Sequence, residues 1–324
     1  MNDNTMSEQG AASAKAAESS ALSAYVAVDA ASKRLVEQIK RVAQSAATVL
    51  VRGENGVGKD LVASLLHYLG PNRDEPMVKI DCASLPHELI ESELFGYEKG
   101  AFTGATHQKR GRLELAGNGT LILDEIAALT MPMQAKLLRV IEQKEFERLG
   151  GEKTIKVHAR ILALTNVDLE RAVARRSFRE DLYYRLSVIP LVVPPLRERR
   201  DDIQPLAEHF LSQLAQVHRR PKPVFTAGAL EALLSFSYPG NVRQLRNILE
   251  RVVVMSTGPE IHEDDLPSFV RQATGRPMMT LEELERSYIA EVLDATRGKK
   301  SKAAEILGIS RKTLLEKRKR YGLD

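Results

Sequence analysis

The sequence predicts an α/β fold, a parallel sheet with helices on both faces, followed by a helical subdomain and then by an all-α unit at the C-terminus. Three observations predict it. Between Ala47 and Lys222 short apolar runs (TVLVRG, MVKID, GTLILDEI, ARILALTN, SVIPLVV) alternate with helical patterns such as DLVASLLHYLG and PMQAKLLRVIEQ. Strands interleaved with helices in this way pair in parallel and are buried on both faces. After PPLRERRDD the pattern is purely helical, through IQPLAEHFLSQLAQV, AGALEALLSF and NVRQLRNILERVVVM. Gly, Pro and polar residues around RQATGRP then mark a linker before a last helical stretch. These breaks divide the chain into an Ala/Ser-rich N-terminus (1–25), an α/β subdomain (26–196), a helical lid (197–270), a linker (271–280) and a C-terminal unit (281–324).

At 324 residues, 43% of them hydrophobic, the chain is long enough for one domain with a full core and one or two smaller units. Residues 1–24 hold seven Ala and five Ser, too little to bury, and are expected to be disordered or a frayed helix. They have neither the basic start nor the apolar centre of a signal peptide. No run of 18 apolar residues occurs, so no membrane partner is expected and the expected location is cytoplasmic. A single cysteine, Cys82, excludes an intrachain disulfide and a cysteine-built zinc site and fits a reducing compartment. The net charge of +4 is uneven: residues 297–324 carry ten Lys or Arg against three acids, +7, leaving −3 for the rest. A polyanion partner for that end alone follows, against the plainer reading of a solvated basic tail.

Directly after the strand TVLV comes Gly53-Glu54-Asn55-Gly56-Val57-Gly58-Lys59-Asp60, then a helix. In a strand-loop-helix context G-x-x-x-x-G-K lets backbone N–H groups wrap phosphates at a helix N-terminus, with Lys59 reaching the outer ones. Asp60 stands where a Ser or Thr hydroxyl normally meets magnesium, so the metal is expected through water or at a second acidic cluster. TLILDE supplies that cluster 65 residues after Lys59, at the strand end where parallel sheets carry their sites. Asp124 suits the magnesium role, and Glu125 the positioning of an attacking water. An Asp-Glu pair after a strand is by itself as ordinary as a helix cap; together with the phosphate loop it completes an ATPase. A third strand, RILALTN, ends in Thr165 and Asn166, polar groups at the same sheet edge that could sense a γ-phosphate. Arg179 and Arg185 in SFREDLYYRL read two ways: surface ion pairs with Glu180 or Asp181, or arginine fingers reaching a neighbouring subunit's phosphoryl group.

GYEKGAFTGAT (96–106) sets Phe102 and Thr103 between Gly100 and Gly104. Glycines free the backbone for unusual dihedrals, as a mobile loop requires, and an aromatic at such a tip offers apolar contact to a partner protein. In GKKSKAAEILGISRKTLLEKRKRYGL, Ala303, Ala304, Ile306 and Leu307 form an apolar face, Gly308 turns the chain and Ser310 caps a helix through Arg320. Two short helices joined by a glycine turn fit helix-turn-helix docking in a major groove. Arg311, Lys312 and Thr313 are placed for bases or nearby phosphates, and Lys317, Arg318, Lys319 and Arg320 for the backbone. Leu281, Leu284, Tyr288 and Val292 line one side of the preceding helix as a packing or dimer face.

Together GENGVGKD, ESELFGYEKGAFTGA, GTLILDEI, LLRVIEQKEFERLGG, FREDLYYRL, PPLRERRDDI and YPGNVRQL resemble the AAA+ domain of bacterial sigma-54-dependent transcriptional activators, the enhancer-binding proteins, over about residues 26–270. Most of the remainder is similar to a Fis-type helix-turn-helix. The resemblance implies an AAA+ P-loop ATPase, usually a hexameric ring, that uses ATP and Mg to remodel RNA polymerase holoenzyme carrying sigma-54 and binds double-stranded enhancer DNA. It implies that Lys59 is the Walker A lysine, Asp124 and Glu125 the Walker B pair, Thr165 and Asn166 sensor I, Arg179 and Arg185 the finger arginines, and Arg243 sensor II. Gly100, Ala101, Phe102, Thr103, Gly104 and Ala105 would contact sigma-54. Asp60 sits where the family often has Glu. Asp81 stands where many members have an Asn that restrains the Walker B glutamate, and an Asp facing Glu125 would repel it unless protonated or bridged. Two rivals are a DNA-binding repressor that keeps the fold without remodelling, and an AAA+ machine for helicase loading or proteolysis. The expected assembly partner is a second copy of the chain, from dimer to hexameric ring, or a paralogous subunit; with fewer than 30 residues before the ATPase region, control is expected in trans, by a regulatory binding protein, a co-activator subunit or expression level.

Overall fold

The computed structural model describes residues 25–256, 258–271, 281–296 and 300–322. The expected disorder of residues 1–24 and most of the expected linker lie outside these residues, as do the side chains of Leu281 and Leu284. The chain forms two compact units, divided between Pro267 and Ser268.

The first unit is built on a five-stranded, all-parallel sheet. Its strands are β1 (Val49–Arg52), β2 (Met77–Asp81), β5 (Thr120–Asp124), β8 (Arg160–Thr165) and β9 (Ile189–Val192), in the order β2-β5-β8-β1-β9. Successive strand residues point to opposite faces, and two cores result. Leu50, Leu121, Leu123, Ile161 and Ala163 enter one; Val49, Val51, Ile122, Leu162 and Leu164 enter the other. The second face is covered by α1 (Ala30–Ala43), through Leu35 and Ile39, and α2 (Lys59–Tyr68), through Val62, Leu65 and Leu66. The first is covered by α3 (His87–Phe95), α5 (Met131–Gln143), α6 (Leu169–Ala174) and α7 (Glu180–Leu186). A one-turn helix α4 (Arg112–Leu115) precedes β5. Beyond the sheet lie two small antiparallel hairpins, β3 (Gly96–Tyr97) with β4 (Lys109–Arg110), and β6 (Glu145–Glu147) with β7 (Thr154–Lys156).

The sheet order sets the site. Parallel register pairs Asp81 with Asp124 and Arg52 with Thr165, so the carboxyl ends of β1, β2, β5 and β8 form one edge, where ligands bind in open α/β sheets.

The lid completes the first unit with α8 (Ile203–Val217), α9 (Ala227–Ser235) and α10 (Asn241–Met255). Leu206, Ala207, Leu211, Leu214 and Ala215 of α8 and Leu245, Ile248, Leu249, Val252 and Val253 of α10 are buried at helical spacing. Asp202, fully buried before α8, accepts the backbone N–H groups of Val28 (2.7 Å) and Asp29 (2.8 Å) and the Ser32 hydroxyl, tying the start of α1 to the start of the lid.

The second unit, after a short α11 (Ser268–Arg271), packs α12 (Leu281–Ala295), α13 (Lys300–Ile306) and α14 (Arg311–Tyr321) around Ile289, Val292, Ala303, Ala304, Leu314 and Tyr321. Val292 is thus a core residue of its own unit, while Tyr288 is exposed. Gly308, at φ +66°, makes the turn from α13. Ser310 caps α14, its hydroxyl accepting the Thr313 N–H at 3.0 Å.

Candidate nucleotide site, GAFTGA loop and C-terminal unit

The loop between β1 and α2 delivers Lys59 as the first residue of a helix capped by Gly58 at φ +105°. Lys59 is buried; its ammonium donates to the carbonyls of Gly53 (3.0 Å) and Glu54 (3.3 Å) and stands 3.9 Å from the Glu125 carboxylate. Burial pushes its pKa down, against the pull of Glu125 and Asp124. Asn55, Gly56, Gly58, Lys59, Asp60, Asp81, Asp124 and Glu125 line one cleft of ≈ 450 Å³, closed on the lid side by Phe210, Val242, Arg243 and Arg246. That volume suits a nucleotide-sized ligand.

At the end of β5, Asp124 Oδ1 accepts the Glu125 N–H at 3.0 Å. Glu125 itself sits at φ +50°, in the left-handed region that a bulky residue seldom occupies. Asp81 is a neighbour across the sheet, and its Oδ1 accepts the Ala83 N–H at 2.9 Å, capping the turn beyond β2. A second cation besides Lys59 enters this acidic corner: Lys79, two residues earlier on β2, is paired to Asp124 Oδ2 at 2.8 Å and to Asp60. Desolvation pulls Lys79 down, but its hydrogen bonds to Asp124 and Asp60 outweigh it and raise its pKa. No cluster of three His, Cys, Asp or Glu fit for a metal occurs among the described residues. Asp124 and Asp60 nevertheless converge to within one ammonium of each other, and magnesium typically takes one or two carboxylates plus substrate phosphates. The donor set fits magnesium.

The lid is joined to the phosphate loop by polar contacts. Glu54 receives a bidentate Arg197 fork (2.8 and 2.6 Å) and the Asn241 amide (3.0 Å), which hold its carboxyl down at about 2. Asn241 also donates to the Asn55 carbonyl (3.1 Å) and accepts from the Leu196 N–H (2.8 Å). The Arg243 N–H donates to the Gly56 carbonyl at 3.2 Å. A side chain at Gly56 would meet the Gly240 carbonyl at 2.5 Å and would have to take φ +77°, so this close approach requires glycine.

Thr165 is buried, its hydroxyl accepting the Val167 N–H at 3.0 Å, and the Asn166 amide donates to Asn55 Oδ1 at 3.0 Å. The strand end thus reaches the phosphate loop through Asn166. Within one chain the arginines are surface ion pairs: Arg179 forks Asp181 (3.0 and 2.7 Å), and Arg185 binds Glu142 at 2.8 Å while 60% exposed. Water screens exposed pairs of this kind, so they hold their partners only weakly and neither guanidinium is locked in place.

The GAFTGA segment is a tight loop between β3 and β4. Gly100 N–H donates to the Ala105 carbonyl (2.9 Å), and Ala105 N–H to the Phe102 carbonyl (3.0 Å). Gly100 (φ +88°) and Gly104 (φ +105°) face open space. Ala105 is buried, but Phe102 is 47% exposed, its ring edge-on to Tyr97 at 5.0 Å. Ala101 lies against Gly150 of the β6–β7 hairpin, Thr103 is exposed, and Arg148 ties that hairpin to Glu98 in the loop stem (2.6 Å) and to Glu114 of α4 (2.6 and 2.7 Å).

In the second unit Arg311 and Lys312 are exposed at the start of α14, whereas the Thr313 hydroxyl is engaged with Ser310 (2.8 Å). Lys317 donates to Glu285 at 2.5 Å and Arg320 to Glu282 at 2.6 Å, so both fasten α14 to α12. Arg318 is half-buried.

Sequence reasoning missed Lys79, Arg246 and Arg197. Arg246 was readable as Arg243 plus three on one helix; alternation puts Lys79 on the same strand face as Asp81, but only the β2–β5 pairing brings it to Asp124. Nothing local marked Arg197, whose partner Glu54 lies 143 residues away.

Residues 25–192 match the sigma-54 interaction domain, 197–282 an AAA+ ATPase lid domain and 280–321 the Fis family of bacterial regulatory proteins. The regulatory protein AtoC of Escherichia coli is 45% identical over 88% of this chain and 64% of its own length; the nitrogen fixation protein AnfA of Azotobacter vinelandii is 44% identical over 90% and 56%. The chain therefore spans less than two thirds of either relative. The crystal structure of NtrX from Brucella abortus in complex with ADP superposes with a TM-score of 0.73 at 35% identity, over 92% of this chain and 69% of that one; NtrX has also been crystallised in complex with ATP. No helix among the described residues is long and apolar enough to cross a membrane. With one family covering the sheet and its cleft, a second the lid beside it and a third the capped C-terminal helices, the chain belongs to the sigma-54 interaction domain family of AAA+ proteins, with a C-terminal segment of the Fis family of bacterial regulatory proteins.

Proposed function

We propose that the chain is an ATP-hydrolysing transcriptional activator. It binds enhancer DNA through α13 and α14 and remodels RNA polymerase bearing sigma-54 through the GAFTGA loop. The carrying observation is the convergence of Lys59, Asp124, Glu125 and Arg243 on one cleft of a sheet whose β2 side leads directly, through α3, into that loop.

Each residue has a chemical task. Lys59 exchanges the Gly53 and Glu54 carbonyls for the outer phosphate oxygens, assisted by loop N–H groups at the α2 N-terminus. Glu125 orients the attacking water and draws on its proton. Asp124, with Asp60 beside it, would hold magnesium directly or through water. The ion, when bound, offsets charge developing on the transferred phosphoryl group. Arg243 reads phosphate from the lid, and Asn166 from the strand end. Arg185 and Arg179 serve a neighbouring subunit's site in a ring of this chain or of this chain and a paralogue. Phe102 and Thr103 meet sigma-54, while Arg311 and Lys312 reach bases or adjacent phosphates. Glu125→Ala should abolish ATP turnover while ADP still binds. Thr103→Ala should spare turnover and abolish sigma-54-dependent transcription. Turnover intact in Glu125→Ala, or transcription intact in Thr103→Ala, overturns the reading.

A further inference from the structure

Lys79 stands where neither the phosphate-loop motif nor the acidic strand end calls for a cation. Its ammonium joins two carboxylates from different elements, Asp60 in the first turn of α2 and Asp124 at the end of β5. Asp124 is 15% exposed and Asp60 58%, so the pair opens to solvent on the Asp60 side, along which the flexible lysine stem, 41% exposed, can withdraw. Strand register fixes the arrangement: Lys79 lies opposite Ile122 and Asp81 opposite Asp124, so Lys79 and Asp81 share one face of β2 beside the acidic end of β5.

We propose that Lys79 is the resident counter-cation of the Asp60–Asp124 pair and competes with the divalent ion for it, so that Lys79 sets how much magnesium the site requires. This rests on reading the cleft as a magnesium–nucleotide site. The physical case is exclusion. Magnesium demands carboxylate or water oxygen at about 2.0–2.1 Å in octahedral geometry, and an ammonium 2.8 Å from Asp124 Oδ2 occupies the same lone pairs. Two cations cannot share one carboxylate pair at that range without strong repulsion, so the ion enters as the lysine leaves. Without nucleotide, the lysine spares the pair its like-charge repulsion. When phosphates bring further negative charge, the balance shifts toward the ion.

The test uses the full chain. Free Mn2+ is followed by electron paramagnetic resonance against nucleotide-free wild type, Lys79→Met, Lys79→Arg and the double variant Lys79→Met/Asp124→Asn. Lys79→Met is expected to bind Mn2+ on the order of tenfold more tightly than wild type, Lys79→Arg to resemble wild type, and the double variant to lose the gain. Equal affinity in Lys79→Met and wild type, or a gain that survives in the double variant, overturns the proposal. A measurement on wild type covers the case in which Lys79→Met does not fold: the rate at which acetic anhydride labels Lys79, read by mass spectrometry, should rise several-fold when Mg2+ and ADP are added together. An unchanged rate, with ADP binding shown by a fluorescent analogue, overturns it. Failure of wild type to bind ADP would instead defeat the nucleotide-site reading and leave the Mn2+ comparison to decide the role of Lys79.

Discussion

Gln134 is wholly buried on α5 and uses both its amide donors and its carbonyl oxygen. Its Nε2 donates to the carbonyls of Leu129 (2.8 Å) and Ser177 (3.2 Å), while its Oε1 accepts the Arg179 N–H at 2.8 Å. It thereby fixes Arg179, the residue at the N-cap of α7, the helix carrying Arg185. Gln134→Ala leaves one N–H and two carbonyls without this partner in a dry setting, at a cost of about 2–3 kcal/mol. Gln134→Leu keeps the volume and should fare no better, because the backbone groups stay unmet. Urea denaturation checks both, and a loss under about 0.5 kcal/mol in either would contradict the assigned role. Nothing local marks this residue: within MPMQAKLLRVIEQ it reads as an ordinary helix position, and two of its partners lie 43 and 45 residues further on. Gly104 is the opposite case, legible from the motif alone. With open space around it, an added Cβ clashes with nothing, but φ +105° is a conformation that L-residues avoid. The loop is exposed and can relax to another backbone shape around an alanine, so Gly104→Ala should leave the melting temperature and ATP turnover near wild type while the altered loop shape reduces sigma-54-dependent transcription. A variant with full transcription would show that the loop does not need this backbone shape.

Among elements, the phosphate loop and the lid are coupled by the Glu54 clamp. Arg197 and Asn241 hold the Glu54 carboxyl at about 2, below the ordinary value of about 4.3. A carboxylate with a depressed folded-state pKa contributes stability that is complete above its unfolded pKa and disappears as pH falls through the folded one. Relative to Glu54→Gln, wild type should keep a constant advantage in melting temperature from about pH 7 to about 5 and lose it as pH falls from about 4.5 toward 2. The advantage is small, because the pair is exposed; one that grows on acidification would contradict the clamp. The strands of the parallel sheet were legible because alternation and continuous apolar runs are local properties, as were the acids at the end of TLILDE; the short strands of the two hairpins carry no such run and were not. The clamp and the Lys79 pair were not, because they depend on β2 lying beside β5 and on the lid folding back over the loop. The basic run of α14 was legible as charge, but its division of labour was not: Lys317 and Arg320 are engaged by Glu285 and Glu282 of α12, acids that stand 32 and 38 residues earlier in the chain.

For the whole molecule, the two finger candidates decide whether one chain suffices. Arg185 is bound to Glu142 of its own chain and Arg179 to Asp181, while the cleft carries Lys59, Arg243 and Arg246 with Lys79 beside them. The proposed ring assigns Arg185 to the neighbour's phosphoryl group, which makes catalysis a property of an interface rather than of a chain. Mixing tests this without any structure of the ring. Glu125→Gln lacks the water-positioning carboxylate but keeps Arg185; Arg185→Ala keeps Glu125 but lacks the finger. Each alone should turn over little ATP. In an equal mixture that exchanges subunits at random, half the sites keep Glu125 and half of those face an intact Arg185, so about a quarter of the wild-type rate should return. The recovered rate should also fall on dilution, as rings dissociate. A mixture as inactive as its components, with subunit exchange shown by fluorescence transfer between labelled chains, would mean that Arg185 does not act across the interface, and the same experiment with Arg179→Ala then decides whether Arg179 does.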